Sequence, residues 1–282
     1  MALPDFIIVG AMKCGTSTLA AQLDAQPGIF MTTPKEPNFF SDDDVFARGA
    51  EWYRDLFSPA APGDIRGEAS THYTKSPLHP DALPRMQQML EAPKIIYLIR
   101  DPVARAVSHY IHEWTMGVMS SDIEEAFAAH PELVSYGCYA EQIAPYIHAF
   151  GAENVLVLNL ETMKAQPQQV LEQVCGFLGY DQRPVWSDAH ARVNVSADRI
   201  RKFPLHWLVF GNPVAAALRR TLVPQSIRDR LKKKRQMQDR PELPGAIRAE
   251  LQTVFARDFE HLRALFPDRD DLHASYPFVA HG

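Results

Sequence analysis

Between the apolar run Phe6-Ile7-Ile8 and a stretch with helical spacing lies VGAMKCGTSTL, residues 9–19, where one lysine and three hydroxyls sit among two glycines. Gly10 and Gly15 have the G-x-x-x-x-G separation of a phosphate loop, and Ser17 stands where such a loop keeps its metal-binding hydroxyl. Thr16 takes the place of the usual nucleotide-binding lysine, and Lys13 lies inside the loop instead. A turn from a buried strand into a helix aims backbone N–H groups and the positive end of the helix dipole at one point. Glycines allow close approach, Thr16, Ser17 and Thr18 add donors, and Lys13 adds a full charge on a flexible stem. This combination predicts an anion site rather than an ordinary glycine turn.

The type of anion depends on a second stretch, KIIYLIRDP. An ATP or GTP enzyme holds Mg²⁺ with the loop hydroxyl and an aspartate ending a neighbouring apolar strand. Here the apolar run leads into Arg100, and Asp101-Pro102 reads better as a helix N-cap followed by a first-turn proline. A cation where a metal carboxylate would stand predicts a second anionic group and no metal. A nucleotide with phosphates at both ends fits that pattern.

These residues need elements to position them. Short β-branched runs at Phe6–Val9, Ile65–Glu68, Lys94–Ile99 and Asn154–Asn159 alternate with helical patterns at Thr16–Ala25, Asp81–Leu90, Asp101–Trp114 and Tyr139–Phe150. The alternation predicts a three-layer α/β, P-loop-like fold with a central parallel sheet flanked by helices. Ser121 and Glu124 have capping-box spacing. A last helix, about Pro244–Phe266, carries an apolar stripe of Ile247, Leu251, Val254, Phe255, Phe259 and Leu262. Residues 197–243 differ: they are basic, proline-punctuated and contain Trp207–Phe210. We read them as a lid or appendage within one domain spanning 1–282.

With 282 residues and 46% hydrophobic composition the chain can bury a large core, and no apolar run approaches a membrane span of about 20 residues. The start, MALPDF, lacks a basic n-region, so the apolar run after it reads as a strand rather than a signal peptide. Three scattered cysteines give no metal spacing and point to a reducing compartment, so a cytoplasmic location is expected. The net charge of −5 conceals 11 Lys/Arg against one acid between Arg199 and Arg235. That excludes nucleic-acid binding over the whole surface but allows a local anionic partner. An anionic membrane touched peripherally through 199–235, an acidic glycan, and a basic helix packed on the domain all fit QSIRDRLKKKRQM.

KCGTSTL after a strand, KEPNFF, GEASTHYTKSP, YLIRDPVARAVSHY and CGFLGY occur in the order found in sulfotransferases that use 3′-phosphoadenosine 5′-phosphosulfate (PAPS). The chain resembles their bacterial and heparan-sulfate-type branch over most of residues 5–180. The resemblance implies that Lys13, Cys14, Gly15, Thr16, Ser17 and Thr18 hold the 5′-phosphosulfate, and that Arg100 and Ser108 hold the 3′-phosphate. It implies a general base at Glu36, with Lys13 countering charge on the departing phosphate and His72 as the alternative base. Arg192, Asn194 and Arg199 are expected to close the 3′-phosphate site. The heparan-sulfate enzymes carry a lysine where this chain has Ala69, and Lys35, Lys75 or His72 is available as a substitute. His109 and His112 are further candidates to line the pocket.

The expected activity is direct in-line sulfuryl transfer from PAPS to an acceptor hydroxyl, without metal or covalent intermediate. A small hydroxyl compound, glycan or glycolipid is the expected acceptor. Two rivals stand: a P-loop kinase or NTPase, and a non-catalytic nucleotide-binding membrane adaptor.

Overall fold

The computed structural model describes residues 3–190, 237 and 240–280. Strand β1 (Phe6–Gly10) is buried at every position and runs through the phosphate-type loop into α1 (Thr16–Asp24). The three-residue β2 (Ile29–Met31), α2 (Asp43–Phe46) and α3 (Gly49–Asp55) lead to β3 (Ile65–Ala69) and α4 (Ala82–Met89). Beyond β4 (Lys94–Ile99) come α5 (Pro102–Met116), α6 (Ile123–Ala129), α7 (Glu132–Ser135) and α8 (Tyr139–Phe150). Strand β5 (Val155–Asn159) is followed by α9 (Leu160–Ala165), α10 (Pro167–Phe177) and α11 (Gly245–Leu265).

The five strands are all parallel in the order β2-β3-β1-β4-β5. Ile8 stands opposite Ala69 of β3 and Ile96 of β4. From β1 the chain goes first to the edge at β2, returns to place β3 between them, and then crosses to β4 and β5 on the other side. Right-handed crossovers in opposite directions put α1 and α8 on opposite faces. The switch point lies at the carboxyl end of β1, where open α/β sheets bind ligands. Near-continuous apolar strands such as Ile95–Ile99 follow from burial on both faces.

Asp101 accepts from the N–H groups of Val103 and Ala104 and so caps α5, as its sequence predicts. The α6 cap is Asp122, which accepts from Glu124 and Glu125; Ser121, the predicted capping-box residue, lies one position too early. The α11 stripe buries Leu251, Phe255, Phe259 and Leu262, but Val254 is exposed and Ile247 only half-buried. Asp258 reaches from α11 to the first turn of α8 and accepts from Ala140 N–H at 3.0 Å and Glu141 N–H at 3.3 Å. Two orphan donors of α8 are thereby satisfied by a different helix.

Three glutamines bind a passing strand of backbone. Gln22 both donates to and accepts from Ser187, Gln26 does the same with Val185, and Gln168 donates to Pro184 O and accepts from Trp186 N–H. Residues 184–187 are thus clasped to α1 and α10. Apart from 237 and 240–243, the predicted lid 197–243 lies outside the described residues, as does the whole of the basic stretch 199–235.

Candidate functional site

The loop after β1 takes its shape from two left-handed residues, Lys13 at φ 69° and Gly15 at φ 94°. A side chain at Gly15 would put Cβ 2.8 Å from Leu160 Cδ1 and 2.9 Å from Met163 Cε, so these two side-chain ends would have to shift, while the positive φ itself disfavours any other residue. Gly15 O receives the N–H groups of Thr18 and Leu19, which starts α1, while Thr16 and Ser17 occupy its first turn. The loop geometry is therefore that of an anion cradle at a helix N-terminus. Thr16 is buried, and Ser17 and Thr18 are half-buried. Cys14 corrects the sequence expectation. Its side chain turns into the core, with Sγ 3.6 Å from Tyr139 Oη, and its N–H is spent on Ala11 O. Burial pushes the thiol up to about 11, so it offers neither a donor nor a thiolate to a ligand.

Arg100 leaves β4 beside this loop. Its Nη1 donates to Lys13 O at 3.2 Å, while its Nε is buried without a hydrogen-bond partner. Tyr139 fixes the strand end: its hydroxyl donates to Arg100 O at 3.0 Å. An orphaned guanidinium nitrogen beside an anion cradle fits a phosphorylated ligand, because an unmade hydrogen bond from a charged group is costly. Ser108 lies two turns into α5 and is half-buried. Lys13 is drawn below the ordinary lysine value by burial first and by the Arg100 cation second.

Glu36 belongs to the KEPNFF loop, which is held to the carboxyl end of β3. Glu36 N–H donates to Ala69 O at 3.0 Å, and Asn38 N–H donates to Ser70 Oγ at 3.1 Å. Its carboxylate accepts from Lys35 Nζ at 2.8 Å and from Thr71 Oγ1 at 3.4 Å. Glu36 and Asn38 have φ of 59° and 54°. With Lys13 they are the three non-glycine residues in the left-handed region among those described. Such conformations cost about 1–3 kcal/mol each and cluster at ligand-binding positions.

Beneath this loop Glu68 is fully buried between Tyr53 and Tyr73. Its carboxyl is pushed up to about 8 by desolvation, which the two phenols only partly offset. Neither oxygen reaches hydrogen-bonding geometry.

His72 is held down to about 4 by burial and by Lys75, and its ring stacks on His79 at 4.7 Å. It is neutral and weakly basic, a poor alternative to Glu36. Of the substitutes for a lysine at Ala69, Lys35 is paired with Glu36, whereas Lys75 is half-buried and forms no ion pair among the described residues. His109 is buried against Tyr136, and desolvation with the Arg105 cation holds it at about 2, so it is a packed neutral ring. His112 faces outward and lies 3.9 Å from Glu113.

Sequence reasoning passed over Glu113. It follows Arg105 and His109 at four-residue intervals, which places all three on one face of α5. That periodicity was the available signal. Glu113 Oε1 lies 3.8 Å from His109 Nε2, and its carboxyl is raised by burial against the pull of Lys75. Arg192, Asn194 and Arg199 lie outside the described residues. Among those described, Cys138, Glu141 and Asp258 bring metal-type ligand atoms within 4.8 Å of one another, but both Asp258 oxygens already accept backbone N–H groups.

Residues 3–205 match the family model described as "Sulfotransferase domain". Heparan sulfate glucosamine 3-O-sulfotransferase 3B1 of Mus musculus is 29% identical over 205 residues, covering 68% of this chain and 50% of the relative. Bifunctional heparan sulfate N-deacetylase/N-sulfotransferase 3 of the same organism is 28% identical over 207 residues, covering 66% of this chain and 23% of that protein. The chain thus spans half or less of the length of these curated relatives. A sulfotransferase crystal structure from Alicyclobacillus acidocaldarius superposes with a TM-score of 0.67 at 26% identity, covering 95% of this chain and 97% of the other.

Proposed function

The chain belongs to the sulfotransferase family, and on that premise we propose that it moves the sulfuryl group of PAPS to an acceptor hydroxyl with Glu36 as general base. The observation that carries this reading is the strained backbone at both Lys13 and Glu36. Both are left-handed, and they are anchored at the carboxyl ends of adjacent strands, where Ile8 of β1 stands opposite Ala69 of β3.

PAPS supplies an activated sulfuryl group, and the protein supplies charge and position. The loop N–H groups with Lys13 receive the phosphosulfate end, and Lys13 counters charge as the phosphate departs. Arg100, with its orphaned Nε, and Ser108 take the 3′-phosphate. Glu36 accepts the acceptor's hydroxyl proton, with Thr71 and Lys35 fixing its carboxylate. A carbohydrate or glycolipid is the acceptor class we favour, the carbohydrate in keeping with the heparan sulfate enzymes to which the chain is similar.

Thermal-shift binding with adenosine 3′,5′-bisphosphate (PAP) and with ATP·Mg²⁺, followed by radiolabelled PAPS transfer to a hydroxyl-acceptor panel, tests the reading. PAP is expected to stabilise the protein, and Glu36→Gln to cost about 10²–10⁴ in turnover while PAP binding survives. Stabilisation by ATP·Mg²⁺ alone would favour the kinase rival, and transfer insensitive to Glu36→Gln would remove Glu36 as the base.

A further inference from the structure

Lys75 follows the short 3₁₀ turn after β3, and its backbone is pinned from three directions. Tyr146 Oη donates to Tyr73 O at 2.6 Å, and Thr74 Oγ1 donates to Val9 O at 2.8 Å. Gln142 accepts from Ser76 N–H at 2.9 Å and donates to Ser76 O at 3.1 Å. The lysine therefore springs from a rigid point shared by the end of β1 and α8.

Its side chain is half-buried, yet Nζ makes no hydrogen bond and no ion pair among the described residues. A lysine packed only for its aliphatic stem ordinarily keeps its ammonium in water. Here burial pulls the ammonium below the ordinary lysine value. The charged groups facing it are Glu36 from the KEPNFF loop, and Glu113 and Arg105 from α5. Lys13 faces the same two carboxylates, Glu113 and Glu36. Lys13 and Lys75 thus have the same two carboxylates as neighbours, and neither lysine forms an ion pair with them among the described residues, Glu36 being paired with Lys35 instead.

We propose that Lys75 is the second ammonium of the transfer centre, contacting the sulfuryl group from the turn that follows β3. The proposal rests on the sulfuryl-transfer reading above. Lys13 serves the phosphate that remains in the product, whereas Lys75 serves the group that leaves with the acceptor. The balance of the step is unchanged: the S–O bond to the phosphate breaks as the acceptor oxygen forms its own bond to sulfur. The acceptor proton goes to Glu36, and Lys75 stays protonated throughout.

PAPS and PAP differ by the sulfuryl group, so they separate this role from a structural one. Calorimetric titration of Lys75→Met is expected to weaken PAPS about 10-fold or more, as for loss of one charge-assisted hydrogen bond, and PAP less than about 3-fold. Lys75→Arg, keeping the cation, should restore most of the PAPS affinity and turnover. Equal loss for PAPS and PAP, or no loss for either, would overturn the proposal, as would failure of arginine to rescue a folded variant. If wild-type protein binds neither ligand, the parent reading fails instead, and Lys75 falls with it.

Discussion

Glu68 offers a test of the fold beneath the KEPNFF loop that needs no substrate. A carboxyl at about 8 in the folded chain and at an ordinary 4.5 when unfolded binds its proton more tightly when folded. Across that window the folded state holds more protons, so stability falls as pH rises from about 4.5 and levels off above about 8. At 1.36 kcal/mol per pKa unit the full effect is about 5 kcal/mol, a large share of the 5–15 kcal/mol typical of a domain. Between pH 6 and pH 8 alone the same relation gives about 2 kcal/mol. Replacing Glu68 by Gln removes the titration while nearly preserving shape. Urea denaturation of wild type and Glu68→Gln at the two pH values isolates this group from all others. Wild type should lose about 2 kcal/mol more than the variant on going to pH 8. Parallel losses would refute the assignment of a neutral buried acid. The consequence reaches the site because Tyr73, which faces Glu68, accepts from Phe40 N–H in the KEPNFF loop.

Two further outcomes follow from geometry. Gly15→Ala puts an alanine at a left-handed φ and displaces the ends of Leu160 and Met163, so PAP affinity measured by calorimetry should fall at least about 10-fold, with a strain cost of about 1–3 kcal/mol in urea. Asp258→Ala strips the two N–H groups at the start of α8 of their acceptor and should cost about 1–3 kcal/mol by the same method, with Asp258→Asn recovering part.

Much of this architecture was readable from pattern. The runs that became β1, β4 and β5 are apolar and rich in β-branched or aliphatic residues because both faces of a parallel sheet are covered, and α8 begins and ends where its spacing predicts. Strand β2 escaped notice because three residues at a sheet edge carry no period. The cap of α6 shifted by one because Asp122 competes with Ser121 for the same donors. Residue type and motif single out Lys13, Arg100 and Glu36 in the sequence, but not the left-handed backbones of Lys13 and Glu36, since non-glycine residues carry no local signal for φ above zero. The inward turn of Cys14 is not legible in the sequence because neighbours on a loop point in opposite directions, and only Tyr139, distant in sequence, reveals which way. Lys75 and Glu113 acquire meaning only when α5 is laid against the end of β3.

The glutamine clasp on residues 184–187 has a consequence for how the molecule responds to ionic strength. Each glutamine offers both a donor and an acceptor, so the clasp carries no net charge. Counter-ions that screen Lys13 and Arg100 from a phosphate over about 8–10 Å leave amide-to-backbone bonds untouched. Rising salt therefore loosens an anionic ligand without freeing the chain that runs on to His190. The helix that begins at the loop keeps its hold on that chain whether or not the ligand is there.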